Sequence, residues 1–128
     1  THGTLVTAMH GHYAFWGAYA MIVLAIISYA LPNLTGRKRY NNTSGHMAFW
    51  LSNVGMLGMK VAFGVAGVAQ VYIERKMKLD FMDVQNEIAI HFVVLLLCAT
   101  LFTIGITLFI IEFIKYGKPT DEALVKEE

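Results

Sequence analysis

Residues 3–31 read GTLVTAMHGHYAFWGAYAMIVLAIISYAL and contain no Asp, Glu, Lys or Arg. A helix crossing a bilayer core needs about 20 consecutive apolar residues, and this stretch is longer than that. It lacks the strict apolar–polar alternation of a strand, and lipid leaves a crossing segment little choice but the helix, which satisfies its own backbone. Proline in Leu31-Pro32-Asn33 is expected to end it. Two further stretches follow the same pattern. Met47 to Ile73 is apolar apart from Asn53, Lys60 and Gln70, and Ile88 to Ile111 is uncharged, with His91 near its start. The loops between them, about Pro32 to His46 and Glu74 to Glu87, are short enough to make consecutive helices antiparallel. The expected fold class is therefore an all-α membrane protein. It forms a single membrane region over residues 1–128, with three transmembrane helices at about 3–31, 47–73 and 88–111 and a cytoplasmic tail at 112–128.

Composition excludes a soluble enzyme. Of the 128 residues, 56% are hydrophobic and 15% charged, where a soluble domain is nearer a quarter charged. Net charge is +1, with no basic run beyond Arg37-Lys38-Arg39, so lipid is the expected surroundings and nucleic acid is not a partner. Cys98 is the single cysteine and cannot form an internal disulfide. Residue 1 is Thr, and no basic segment precedes the first apolar stretch, so the chain reads as processed or as one piece of a longer polypeptide. Arg37, Lys38, Arg39, Lys115, Lys118 and Lys126 fall on one side of the membrane, against Arg75, Lys76 and Lys78 on the other. The positive-inside rule then places the C-terminal tail in the cytoplasm and the N-terminus outside.

The residues with chemistry lie near that N-terminus, in Met9-His10-Gly11-His12-Tyr13. Residues two apart on a regular helix are about 200° apart around its axis. His10 and His12 therefore cannot share one ion, but each can hold its own cofactor with the helix wedged between. Around His10 lie Gly3, Thr7, Ala14 and Gly17, mostly small side chains that let a flat macrocycle approach the backbone. Around His12 lie Phe15, Trp16 and Tyr19, an aromatic wall suited to stacking on a haem. Neutral imidazole is a common axial ligand of haem iron. The competing reading is a pair of histidines hydrogen-bonded to a neighbouring helix or lining a polar cavity, beside aromatics that simply pack. Intramembrane histidines are usually functional, but spacing alone leaves both readings open.

Thr-His-Gly-Thr (1–4), Ala8-Met9-His10-Gly11-His12, Phe15, Gly17-Ala18-Tyr19-Ala20-Met21 and Ile26 to Pro32 (IISYALP) closely resemble the large, catalytic subunit of bacterial nitric oxide reductases, within the haem–copper oxidase superfamily. The likeness continues through Phe49-Trp50-Leu51, Ala66-Gly67-Val68, Gln70-Val71 and Gln85 to Ile90. It covers nearly the whole chain, as the C-terminal three helices of a twelve-helix bundle. The resemblance implies that His10 is the axial ligand of the high-spin, catalytic haem b and that His12 is one of two axial ligands of the low-spin haem b. Thr1, His2 and Thr4 would lie near the haem propionates, or else serve as ordinary caps. It further implies reduction of two nitric oxide molecules to nitrous oxide and water in a bacterial inner membrane. Electrons would pass through the low-spin haem to the high-spin haem and a non-haem iron whose ligands lie outside this chain. The remaining helices of the large subunit would be partners. The donor would be a membrane-anchored cytochrome c subunit or, second, quinol. The alternatives are another haem–copper member, such as a terminal oxidase or nitric oxide dismutase, or a haem-free membrane scaffold.

Lys60 is not demanded by the resemblance. It follows Phe49 by eleven residues, about 16 Å into the membrane at 1.5 Å per residue, where charge is costly. The favoured reading is a lysine paired with a carboxylate on a helix outside this chain, and the functional alternative is a proton or water route. Gly55, Gly58, Ala62 and Ala66 make a small-residue ridge on the opposite face, which predicts close helix packing. Thr100, Thr103 and Thr107 are expected to bond back to their own helix or a neighbour. His91 is expected to form an interhelical hydrogen bond, and His46 to be a polar interface residue.

Overall fold

The computed structural model describes residues 3–35 and 42–116. The first span runs Leu5–Thr35 and joins α1 (Leu5–Ala14), a π-helical turn (Phe15–Ala20) and α2 (Met21–Thr35) end to end. The second comprises α3 (Asn42–Tyr72) and a π-helical end (Ile73–Met77), and the third is α5 (Ala89–Tyr116), preceded by the short α4 (Phe81–Glu87). Among the described residues there is no strand. All three spans are long and apolar enough to cross a membrane.

The helix ends differ from those read in the sequence. Pro32 is buried inside α2, which continues to Thr35. Proline there removes one backbone bond in the last full turn only. Two side chains then occupy carbonyls beside it: Asn33 Nδ2 donates to the Tyr29 carbonyl at 2.9 Å and Thr35 Oγ1 to the Leu31 carbonyl at 2.7 Å. The third span likewise runs on through residues 112–116, which the charge pattern assigns to a tail. The expected loop at 74–87 is mostly helical. Lys78, at φ 56°, closes the second span in the left-handed conformation that commonly ends helices. The chain then enters α4, whose Val84 is buried together with Ile88 just beyond it.

α3 is the central element. In their most apolar windows the second span buries 39% of residues and each of the others 6%, so the first and third spans flank it and present most of their surface outward. The flanking helices approach α3 on different faces. Toward α5, a Cβ on Gly55 would stand 2.5 Å from the Phe102 amide nitrogen, and one on Gly58 would strike Cys98 Sγ, while Ala62 and Ala66 are buried beside them. The small-residue ridge packs as expected. Toward α1, a Cβ on Gly67 would stand 2.6 Å from the Val6 nitrogen. Between the helices lies a core of Trp16, Met56 and Met59 with Leu24, Phe63, Leu95 and Phe102 around it. The threonine stripe bonds within its own helix, Thr100 to Leu96, Thr103 to Ala99 and Thr107 to Thr103, at 2.8–2.9 Å. His91 also bonds locally: its Nδ1 meets the Ile88 carbonyl at 3.3 Å, one turn back. An imidazole so placed reaches its own helix's end before any neighbouring helix.

The N-terminus of α1 is held by a side chain from α3. Gln70, 5% exposed, accepts a hydrogen bond from the Leu5 amide at 3.1 Å, one of the four donors a helix start leaves without an internal partner. Gln70→Leu removes that acceptor and strands a part-buried N–H, which typically costs about 1–3 kcal/mol. Thermal unfolding of the purified protein should register the loss. An unchanged midpoint would show that the bond contributes nothing net.

Candidate functional site

α1 is a regular helix through both histidines, because the π-helical turn begins only at Phe15. The roughly 200° separation of residues two apart therefore holds. Val6, Met9, Tyr13 and Trp16 form the stripe turned toward α3: they meet Gly67, Gly64, Lys60 and Asn53 respectively. His12 lies to one flank of this stripe and His10 to the other.

On its flank, His12 is fixed at both sides of the ring. Its Nδ1 is 2.9 Å from the Ala8 carbonyl oxygen. A carbonyl only accepts, so Nδ1 carries a proton, and in the neutral imidazole, the form that binds a metal, Nε2 keeps its lone pair. A backbone acceptor of this kind commonly orients metal-bound histidines. The Phe63 ring, at a centroid distance of 5.5 Å and 31° between planes, braces the imidazole from α3. Beside His12 opens a groove of about 650 Å³ lined by Ala8, Gly11, Phe15, Trp16, Ala20, Met56 and Phe102. That volume lies within the range of sites for cofactor-sized ligands. A Cβ on Gly11 would meet nothing within 4 Å, so the helix surface beside His12 is open to a flat ring. An imidazole beside an apolar groove of this size is the combination of donor and cavity that a haem would need.

The aromatic wall is arranged differently from the sequence expectation. Trp16 is a core residue, 7% exposed, whose indole N–H donates to Asn53 Oδ1 at 3.4 Å and whose ring stands edge-on to Phe102 at 4.8 Å. It lines the groove with one side and supports the bundle with the other. Tyr19 is turned out of the His12 groove and into an adjoining one shared with Phe15, Val23 and Ile106. The π-helical turn accounts for this, since its i→i+5 bonding shifts every following residue around the axis.

On the other flank His10 is exposed, and Gly17 beyond it would meet nothing within 4 Å if given a Cβ. Thr7 and Ala14, also exposed, are the other small side chains near His10. Thr4 occupies the N-cap position of α1 and is buried. Thr1 and His2 lie outside the described residues. Among the described residues no three His, Cys, Asp or Glu side chains are grouped closely enough to hold a metal ion.

Residues 1–101 match the family described as cytochrome c and quinol oxidase polypeptide I. The chain belongs to this haem–copper oxidase family. It is 34% identical to a nitric oxide reductase subunit of Stutzerimonas stutzeri over 126 residues, 92% of this chain and 27% of that relative. The chain thus spans about a quarter of the relative's length. Family membership and three membrane-length helices make it a multi-pass membrane chain. The helical bundle, with its three membrane-length helices, agrees with the haem–copper oxidase architecture.

A second cavity, of about 530 Å³, lies at the far end of this haem–copper bundle, between Ser28 and Met21 of α2, His46 and Phe49 of α3, and Glu112 of α5. Glu112 is 4% exposed and pairs with exposed Lys115 at 4.0 Å. Sequence reasoning missed it because it falls just past the uncharged run and reads as tail. Its spacing from Lys115, three residues on, was the available signal that the helix continues. Ser28 is sixteen residues beyond His12, roughly 24 Å along the helix. The two cavities share no lining residue, although Met21 of the second directly follows Ala20 of the first.

Proposed function

We propose that this chain is part of the catalytic core of a membrane nitric oxide reductase, with His12 one of the two axial ligands of a low-spin haem b and His10 the axial ligand of a high-spin haem b. The observation that carries the reading is the oriented His12 ring, its Nε2 free beside an apolar groove, on a helix that turns His10 to the opposite flank. The likeness to a protein named as a nitric oxide reductase component supports it. When bound, the haems supply electron transfer and, with a non-haem iron held by residues outside this chain, the reduction of two nitric oxide molecules to nitrous oxide and water.

The chain's own residues prepare that chemistry. Ala8 and Phe63 fix the His12 ring before any cofactor arrives. Trp16, Met56 and Phe102 keep water from the groove. Thr4, with Thr1 and His2, contacts propionates at the N-terminal end. Neutral nitric oxide needs only an apolar path, which the outward faces of the first and third spans provide. The remaining helices of the large subunit cover the His10 flank. A membrane-anchored cytochrome c subunit is the favoured donor, with quinol second. The location is the bacterial inner membrane, with the N-terminus toward the periplasm and the C-terminus cytoplasmic.

The test is an optical spectrum of the purified, dithionite-reduced assembly, read with nitric oxide and oxygen consumption. Haem b bands, one component of them sensitive to nitric oxide, with consumption of nitric oxide, are expected. Gly11→Phe, at a position where a Cβ meets nothing within 4 Å, puts a ring into the groove beside His12 and should remove the low-spin bands. Oxygen consumption in place of nitric oxide consumption would assign the chain to a terminal oxidase, and absence of haem would make it a scaffold.

A further inference from the structure

Lys60 carries a cation in the middle of the second span, where every charge is expensive and normally has a task. Its Nζ lies 3.8 Å from the centroid of the Tyr13 ring, within the distance at which a ring face attracts an ammonium. Among the described residues no carboxylate stands within ion-pair distance of it. The seat is rigid, because Gly64 and Gly67 on the same face draw α1 against α3: a Cβ on Gly64 would stand 3.0 Å from Met9 Sδ. The address is also specific. Tyr13 directly follows His12 and lies three residues beyond His10, the spacing of neighbours along a helix face. Phe63, three residues beyond Lys60 on α3, braces the His12 ring. The ammonium therefore sits on the stripe that separates the two imidazoles.

We propose that Lys60, held on Tyr13, is a positioning charge that favours the electron-loaded state of the redox centres on His10 and His12. This rests on the haem reading above. Each loading step adds one electron and converts ferric to ferrous iron at the haem. A cytochrome c donor is oxidised from ferrous to ferric in the same step, whereas a quinol donor is oxidised to quinone over two such steps and releases its two protons on its own side. Adding that negative charge beside a fixed cation is favourable, and the low dielectric of a membrane interior strengthens the effect over its value in water. The side chain need not touch either haem, since a charge acts at a distance where a hydrogen bond does not. A ring is a suitable anchor because it holds the cation without cancelling it, as a carboxylate would.

The experiment uses the whole assembly carrying Lys60→Met, Lys60→Gln or Lys60→Arg, with haem content read from the reduced spectrum and each haem titrated spectroelectrochemically. Both neutral variants should retain two haems yet lose about tenfold in the reduction equilibrium of at least one, about 59 mV for a one-electron couple. Lys60→Arg should hold the wild-type potentials, since a guanidinium also sits on aromatic faces. Wild-type potentials in the neutral variants would overturn the proposal, including the case where turnover alone slows, which would indicate a proton route. Haem lost from the neutral variants but kept in Lys60→Arg would also overturn it, showing that the charge pairs with a carboxylate to assemble the bundle. A wild-type assembly without haem would refute the haem reading itself, and this inference with it.

Discussion

His12→Ala should abolish the six-coordinate low-spin haem signal while leaving a haem that still binds small gaseous ligands, and His10→Ala should do the reverse. The expectation is a large effect on one spectral component, because no other imidazole lines this groove. The other lining residues are Ala8, Gly11, Phe15, Trp16, Ala20, Met56 and Phe102, and of these only Met56 has an atom able to bond iron. The division between variants follows from the regular α1 helix, which puts the two imidazoles on opposite flanks of the stripe that meets α3. Neither substitution touches that stripe, so assembly should survive both. His12→Ala also removes the 2.9 Å bond to the Ala8 carbonyl, but that acceptor already belongs to the helix ladder. Identical spectra from the two variants at equal protein yield would refute the assignment of one haem to each histidine.

Much of this arrangement is legible in the sequence. Span number follows from the length of the uncharged runs, and the His10–His12 opposition from helix geometry alone, because nothing perturbs the helix before Phe15. The Gly55–Gly58–Ala62–Ala66 ridge is legible for a related reason: small residues at helical spacing leave a strip where only another backbone fits. Other features carry no compositional mark. The π-helical turn at Phe15–Ala20 changes a hydrogen-bond partner by one residue, and the side chains that produce it look like any aromatic helix. It is the reason Tyr19 leaves the His12 groove. The bond from the Leu5 amide to Gln70 joins residues 65 apart, so it depends on packing that no local pattern encodes. Pro32 misleads because a proline so close to a helix end removes little, and Asn33 and Thr35 can follow it with bonds of their own. The roles of Trp16 as core and of Lys60 as a cation on Tyr13 likewise become visible only when α1 lies against α3.

Gly105→Val should collapse the packing of the third span against the second, with loss of haem and of cooperative thermal unfolding in the purified assembly. A Cβ at Gly105 would strike the Ser52 amide nitrogen and lie 2.9 Å from Ser52 Cα and 3.0 Å from the Ala48 carbonyl oxygen. All three are main-chain atoms of α3, so no rotamer change relieves the clash. Ala48 and Ser52 are both fully buried, and Ser52 Oγ is already committed to the Ala48 carbonyl at 2.8 Å. The helices must separate, and every contact between α3 and α5 near that level separates with them. Overpacking commonly costs about 1–3 kcal/mol when side chains can adjust, and backbone against backbone should reach or exceed the top of that range. Gly58 supplies the control. A Cβ there meets Cys98 Sγ and, at 3.2 Å, Cys98 Cβ, which are side-chain atoms. Gly58→Ala should therefore be destabilising alone and largely rescued by Cys98→Ala, whereas Gly105→Ala should find no single side-chain substitution that restores it. Rescue of Gly105→Ala by trimming Ser52 to Ala would show that the close approach of the two backbones is not what holds α3 and α5 together.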